Sequence, residues 1–230
     1  ERGATQYANN EIDNLVKDSK SVNSKVIELK DKYKQYVEKK TILSGSKIGK
    51  RFGSLVNLDF NTYLSNLQTD ITNSFSFLEN GDFEKANSSY GNYIAILAVI
   101  TGAFVAVDTL LSQYNKSELY INQNKDAMKD LLDKIENKIH KSGVSYTRKS
   151  TLEENKKYIE KYKTLLSTDV IAAAELLKVI VDNLDKLLDK IKSDISSAEA
   201  AAASAEIEAY RKSLGIWGGD KGGWGGIRQS

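Results

Sequence analysis

The chain has 230 residues, with 33 basic and 31 acidic side chains, one His, and no Cys or Pro. Near-balanced charge, mixed along the chain, argues against a concentrated nucleic-acid-binding face. Without Cys there are no disulfides, no Cys-ligated zinc and no thiol catalysis, and a lone His140 builds neither a His-based metal site nor a Ser–His–Asp triad. At the usual ~5% a chain of this length would carry about eleven prolines. Proline breaks helix interiors and serves turns, so its absence predicts long uninterrupted helices. Thirteen of the fifteen glycines agree by clustering at 45–53, 81–102 and 215–226. The sequence begins at Glu1 with no Met and no signal-peptide pattern, which fits a mature secreted form or a piece of a longer chain.

The first predicted helix covers roughly 4–42. Ile12, Leu15, Ser19, Val22, Val26, Leu29, Tyr33 and Tyr36 recur at alternating steps of three and four, a heptad seam. A Ser/Gly-rich break follows from Ser44 to Gly53. Its run Gly45-Ser46-Lys47-Ile48-Gly49-Lys50-Arg51 lacks the spacing and the preceding strand of a phosphate loop. Lys47, Lys50 and Arg51 form a small basic patch there.

A second helix is predicted over 55–79, with Phe60, Leu64, Leu67, Ile71, Phe75 and Leu78 on one face. Gly81 suits the left-handed position that ends it, and Asp82 suits the N-cap of the next helix. That third helix runs over 83–140 and carries Ile121, Met128, Leu132, Ile135 and Ile139 as its later stripe. After a loop at 141–149, Ser150-Thr151-Leu152-Glu153 reads as a capping box.

The last segment, 151–214, has the clearest pattern, with a break allowed at Ser167-Thr168-Asp169. From Val170 through Ala174, Leu177, Val181, Leu184, Leu188, Ile191, Ile195, Ala198, Ala202 and Ala205 to Ala209 the 4-3 series is unbroken. Such a series predicts packing along the whole helix, with a closer neighbour where Leu and Ile give way to Ala. The fold class expected is all-α: an elongated bundle over 1–214 of four or five long amphipathic helices with coiled-coil-like packing.

One stretch breaks the amphipathic rule. Between Lys85 and Asp108 lie 22 uncharged residues, and Tyr93–Val107 is apolar on every side of a helix. A helix without a polar face needs surroundings of protein or lipid. One reading makes it a buried central helix. The other makes it a bilayer-seeking segment, with Tyr93, Ile94, Ile96, Leu97, Val99, Ile100, Phe104, Val105 and Val107 as membrane-interacting residues within an apolar segment 86–111. Fifteen residues span about 22 Å, short of the ~30 Å hydrocarbon core. Extension to Leu111 would carry Asp108 into the apolar region at a cost of a few kcal/mol, roughly, so a partly inserting head is expected in place of a permanent anchor. Tyr90, Tyr93 and Tyr114 suit a membrane interface.

Long heptad helices, no Pro, no Cys and one mid-chain apolar run resemble the α-helical pore-forming toxins of the haemolysin E type. The resemblance is architectural, with no shared motif, and this chain is shorter and has a Gly-rich tail. It implies a bundle that covers an apolar head in solution and uncovers it to build an oligomeric pore, with 93–107 as that head. Pore-forming colicins also carry an apolar hairpin on a helical bundle, but theirs is longer and nearer the C-terminus.

Residues 215–230 form that tail. Gly215 suits a helix C-cap, and so many glycines favour a flexible extension. Trp217 and Trp224, each followed by Gly-Gly, are candidate docking anchors. No carboxylate is marked by an apolar pocket, so no catalytic, cofactor-binding or metal-binding residue is expected, and the chain is read as a non-enzyme. Two functions remain open from sequence: a membrane-active toxin or toxin component, or an interaction module such as an adhesin, receptor-binding unit or coiled-coil scaffold. The partners expected are a lipid membrane, and a protein partner or a second copy joined through helices.

Overall fold

The computed structural model describes the backbone of residues 2–215 and the side chains of residues 10–215. Six α-helices follow in order: α1 (Arg2–Lys20), α2 (Val22–Ser44), α3 (Phe60–Glu79), α4 (Phe83–Lys138), α5 (Thr147–Leu165) and α6 (Val170–Ser213). A 3₁₀ segment, Gly49–Ser54, sits between α2 and α3. Among the described residues no strand forms, and one isolated bridge joins Ile48 to Asp169. The chain is all-α, as its lack of proline implies, with six α-helices where four or five were expected.

The extra helices arise at two interruptions. The first predicted helix is broken at Ser21, whose hydroxyl donates to the Lys17 carbonyl at 3.0 Å. Such back-bonding competes with the helical ladder and bends it. The last segment divides between Leu165 and Val170. Here the Val170 N–H, an orphan donor at a helix start, donates to the Lys47 carbonyl at 2.8 Å. Asp169 pairs with Arg51. Gly49, at φ +63°, lies so close to Asp169 that an added Cβ would come 3.0 Å from its carboxylate. Arg51 of the basic patch is therefore a structural tie.

Other ends follow local chemistry. Helix α3 starts at Phe60, later than expected, because Asp59 caps it, accepting from the Thr62 hydroxyl at 2.8 Å. Gly81, at φ +76°, closes α3, and Asp82 accepts from the Lys85 N–H at 3.2 Å to open α4. The capping box does not operate. Helix α5 begins at Thr147, which puts Ser150 inside its first turn. Asp194 of α6 overrides the local signal: it accepts from the Ser145 N–H at 3.1 Å and takes Arg148 through Nε and Nη2 at 2.9 and 3.2 Å.

The chain divides into two compact units. Among the described residues, unit 1 holds 2–116 with 168–171, and unit 2 holds 117–167 with 172–215. In unit 1 the seam of α1 and α2 faces inward, with Leu15, Val26, Leu29 and Tyr36 buried. It meets Phe60, Leu64, Leu67 and Ile71 of α3 and the inner face of α4 in one core. Aromatic rings run through it: Tyr33 stacks on Phe60 at 4.2 Å, and Tyr36 meets Phe104 at 5.5 Å. The α3 stripe passes through Ser74 in place of Phe75. Ser74 is fully buried and donates to the Ala86 carbonyl at 2.5 Å, so its polar group is satisfied.

Unit 2 packs the later part of α4 with α5 and α6. Buried Asn155 donates to the Thr151 carbonyl at 2.9 Å and accepts from Asn183 at 3.1 Å. The α6 seam is buried from Val170 to Ile191, apart from half-buried Val181, then half-buried at Ile195 and Ala198 and exposed from Glu199 onward. Packing along its whole length is therefore not seen. The cause is the end of α4 at Lys138: the connection to α5 lies over Ala198, and among the described residues nothing covers the seam beyond it. Conversely Ile180 and Leu187 are buried although outside the heptad series, because α6 faces two helices and needs a wider apolar face.

Two expected results arise here. Gly143 has φ +89°, and an added Cβ would lie 2.3 Å from the Ala198 methyl. Gly143→Ala combines left-handed strain with overpacking and is expected to cost about 2–4 kcal/mol in chemical denaturation. The second concerns pH. The Arg148 guanidinium and the Ser145 N–H hold the Asp194 carboxyl below its ordinary value. A depressed folded pKa stabilises above the unfolded value, about 3.9 for Asp, and that contribution is lost as pH falls through the folded value. Thermal unfolding followed from about pH 6 to about pH 3 is expected to show a drop in stability that is smaller in Asp194→Asn.

Candidate functional site

The apolar run lies within α4, which is 56 residues long, or about 84 Å at 1.5 Å per residue. Its inner stripe, Ala86, Tyr90, Tyr93, Ile100, Ala103, Phe104, Val107 and Leu110, is buried in the unit 1 core. The opposite face is exposed and carries no polar group at Gly91, Ile94, Ala95, Ala98, Val99, Gly102, Val105 or Ala106. Ile94, Val99 and Val105 are 44, 43 and 60% exposed. Only 28% of the most apolar 18-residue stretch of α4 is buried, and among the described residues α4 is the one helix long and apolar enough to cross a membrane. A helix enclosed by protein would be mostly buried, so the enclosed-helix expectation is not met.

Polar margins border this strip. On one side lies a shallow crevice lined by Asn66, Thr69 and Asp70 of α3 together with Asn92, Ala95 and Ile96. On the other, Lys32, Gln35 and Lys39 of α2 line a crevice with Thr101, Val105 and Asp108. Lys39 pairs with Asp108 at 2.7 Å. A Cβ added at Gly91 or Gly102 would meet nothing within 4 Å. Each glycine costs the helix about 0.5–1 kcal/mol relative to Ala, and no contact among the described residues requires it.

No family model, curated protein or solved structure matches this chain. The geometry of the strip therefore stands without a relative beside it.

The nine residues expected at a membrane divide three ways. Ile94, Val99 and Val105 are exposed, Ile96 and Leu97 are half-buried, and Tyr93, Ile100, Phe104 and Val107 belong to the core. An alternating inside and outside on one uncharged helix is invisible to hydropathy alone, since both faces are apolar. Tyr90 and Tyr93 do not sit at an interface. Tyr90 donates to Asp18 of α1 at 2.7 Å and stacks on Tyr93 at 5.9 Å, which fastens α4 to the core. Trp217 and Trp224 lie outside the described residues.

Two apolar surfaces were missed. Phe83, 61% exposed, borders an apolar crevice of about 380 Å³ beside Ile12, Leu15 and Leu78. At the end of α6, Ile207, Tyr210 and Leu214 are more than half exposed. Ile207, Tyr210 and Leu214 fall outside the heptad series that ends at Ala209, so that series gave no signal for the second. Among the described residues no group of three or more His, Asp or Glu is placed to hold a metal, and His140 is exposed in the turn after α4. The chemistry this arrangement offers is apolar adhesion between polar margins.

Proposed function

We propose that this is a membrane-active helical protein, acting in the manner of a pore-forming toxin or toxin component, that lays the outer face of α4 against a bilayer. The observation that carries the reading is the exposed, uncharged face at Ile94, Val99 and Val105, bordered by polar margins. Contiguous apolar surface with a polar rim marks contact with lipid or another protein, and among the described residues this strip lies on the one helix long and apolar enough to cross a membrane. Secretion, and self-association through helices once lipid is bound, belong to the same proposal.

Flotation and dye release with phosphatidylcholine/phosphatidylglycerol vesicles test it. The protein is expected to float with the vesicles and release the dye. If it stays in the dense fraction at micromolar concentration, the reading is wrong.

A second reading, a non-enzymatic interaction module, is favoured by the exposed apolar residues at the end of α6. It predicts association with a protein surface through Ile207, Tyr210 and Leu214 and no affinity for vesicles.

A further inference from the structure

From Glu199 to Gly215 every residue is exposed, although α6 stays helical to Ser213. The alanines there explain the helix, since Ala has the highest intrinsic helix propensity. They do not explain Ile207, Tyr210 and Leu214, which are 55, 65 and 53% exposed. With Ala200 and Ala203 these residues recur at steps of three, four, three and four, a second seam on a different face from the one packed in unit 2. Followed backward at the same spacing, the seam meets Ser196, Ser193, Asp189 and Lys186, all polar and exposed. This face is therefore polar alongside the unit 2 core and turns apolar where that core ends.

The charges beside the seam select an occupant. In heptad terms Ala200, Ile207 and Leu214 take position a, and Ala203 and Tyr210 take position d, which makes Glu206 a g residue and Arg211 the following e residue. When two copies lie parallel and in register, each g faces the e five residues later on the other copy. Glu206 then meets Arg211 of the second copy, twice by symmetry. In an antiparallel pair g faces g, and this seam offers only Glu199, Glu206 and Ser213 there, with no cation. A β-branched residue at a, here Ile207, also suits a two-stranded parallel pair. Among the described residues neither Glu206 nor Arg211 has an ion-pair partner within the chain.

We propose that the end of α6 is a docking site for a second copy of this chain, paired in parallel and in register through Ile207, Tyr210 and Leu214, with Glu206 and Arg211 setting the orientation. Ala200 to Leu214 covers about 22 Å of helix, which places the contact at the small end of protein interfaces and makes the association reversible. No residue of α4 takes part, so the pairing needs neither a bilayer nor another protein.

The full chain has no Cys, so Ala203→Cys, on the seam, and Ala205→Cys, off it, each introduce a single thiol. Under mild oxidation with copper phenanthroline, Ala203→Cys is expected to form a disulfide-linked dimer at least about tenfold faster than Ala205→Cys. Adding Ile207→Asp should bring that rate down to the Ala205→Cys value, and circular dichroism melts check that every variant is folded. Charge reversal reads the orientation. Glu206→Lys and Arg211→Glu, each combined with Ala203→Cys, should cross-link about tenfold more slowly when alone, because like charges face each other. Mixed in equal amounts, they should give mainly the mixed disulfide, identified by mass, because opposite charges then meet on both sides. Equal rates for Ala203→Cys and Ala205→Cys overturn the site, and a statistical share of mixed disulfide overturns the parallel pairing. If Ala203→Cys neither cross-links nor reacts with a small thiol reagent, the chain beyond Gly215 covers the seam and a second copy is ruled out.

Discussion

Val105→Asp is expected to weaken vesicle binding by up to about a hundredfold while leaving a protein that still unfolds cooperatively. Val105 is 60% exposed on the outer face of α4, so a carboxylate there remains hydrated in the soluble fold. Its cost on the helix is a few tenths of a kcal/mol of propensity, roughly. In a bilayer the same carboxylate, inside the apolar run, carries an insertion cost of up to about 2.5–3.5 kcal/mol. At about 1.4 kcal/mol per factor of ten, that is up to two orders of magnitude in affinity. Val99→Asp, about one and two-thirds turns away and 43% exposed, should behave alike. Flotation with varied lipid and circular dichroism melting on the same samples separate binding from folding. Unchanged affinity in both variants would remove the outer face of α4 from the function.

Ile100→Asp gives the opposite result. Ile100 is one residue from Val99 in sequence and fully buried. A carboxylate there loses the apolar transfer term of about 1.5–3 kcal/mol and adds an unpaired buried charge of about 3–5 kcal/mol. Against a total stability of about 5–15 kcal/mol, unit 1 is expected to lose its cooperative transition. Ile100→Ala, with a cavity cost of about 2–5 kcal/mol, should keep the fold and melt at lower temperature, which supplies a measurable variant if the Asp form does not accumulate. The contrast between positions 99 and 100 reads out which side of α4 is core. If Ile100→Asp melted like the parent, the inner stripe described above would be wrong.

Much of this architecture was legible because it depends on local periodicity. The α1–α2 seam from Ile12 to Tyr36 faces inward, and α4 runs from Phe83 as the Gly81-Asp82 signal implies. Features set by distant partners were not legible. Ser150 has the pattern of an N-cap, but Asp194, 44 positions away in sequence, holds Ser145 and Arg148 and starts the helix earlier. The alanines at 202, 205 and 209 keep the heptad rhythm, yet the helix they would pack on has already ended at Lys138. The same limit governs the candidate site. Hydropathy marks Tyr93–Val107 as one apolar block, whereas the sorting of Ile100 inward and Val105 outward depends on where α1, α2 and α3 lie against it.

The tie between the segment after α2 and the start of α6 has an effect on biosynthesis. Unit 1 includes residues 168–171, and the Val170 N–H and Asp169 contact Lys47 and Arg51 across more than a hundred residues. A ribosome adding about 5–20 residues per second makes all of α1–α3 and the greasy part of α4 several seconds before these last contacts can form. During that interval the nascent N-terminal bundle lacks both of these ties and is unfastened at one end.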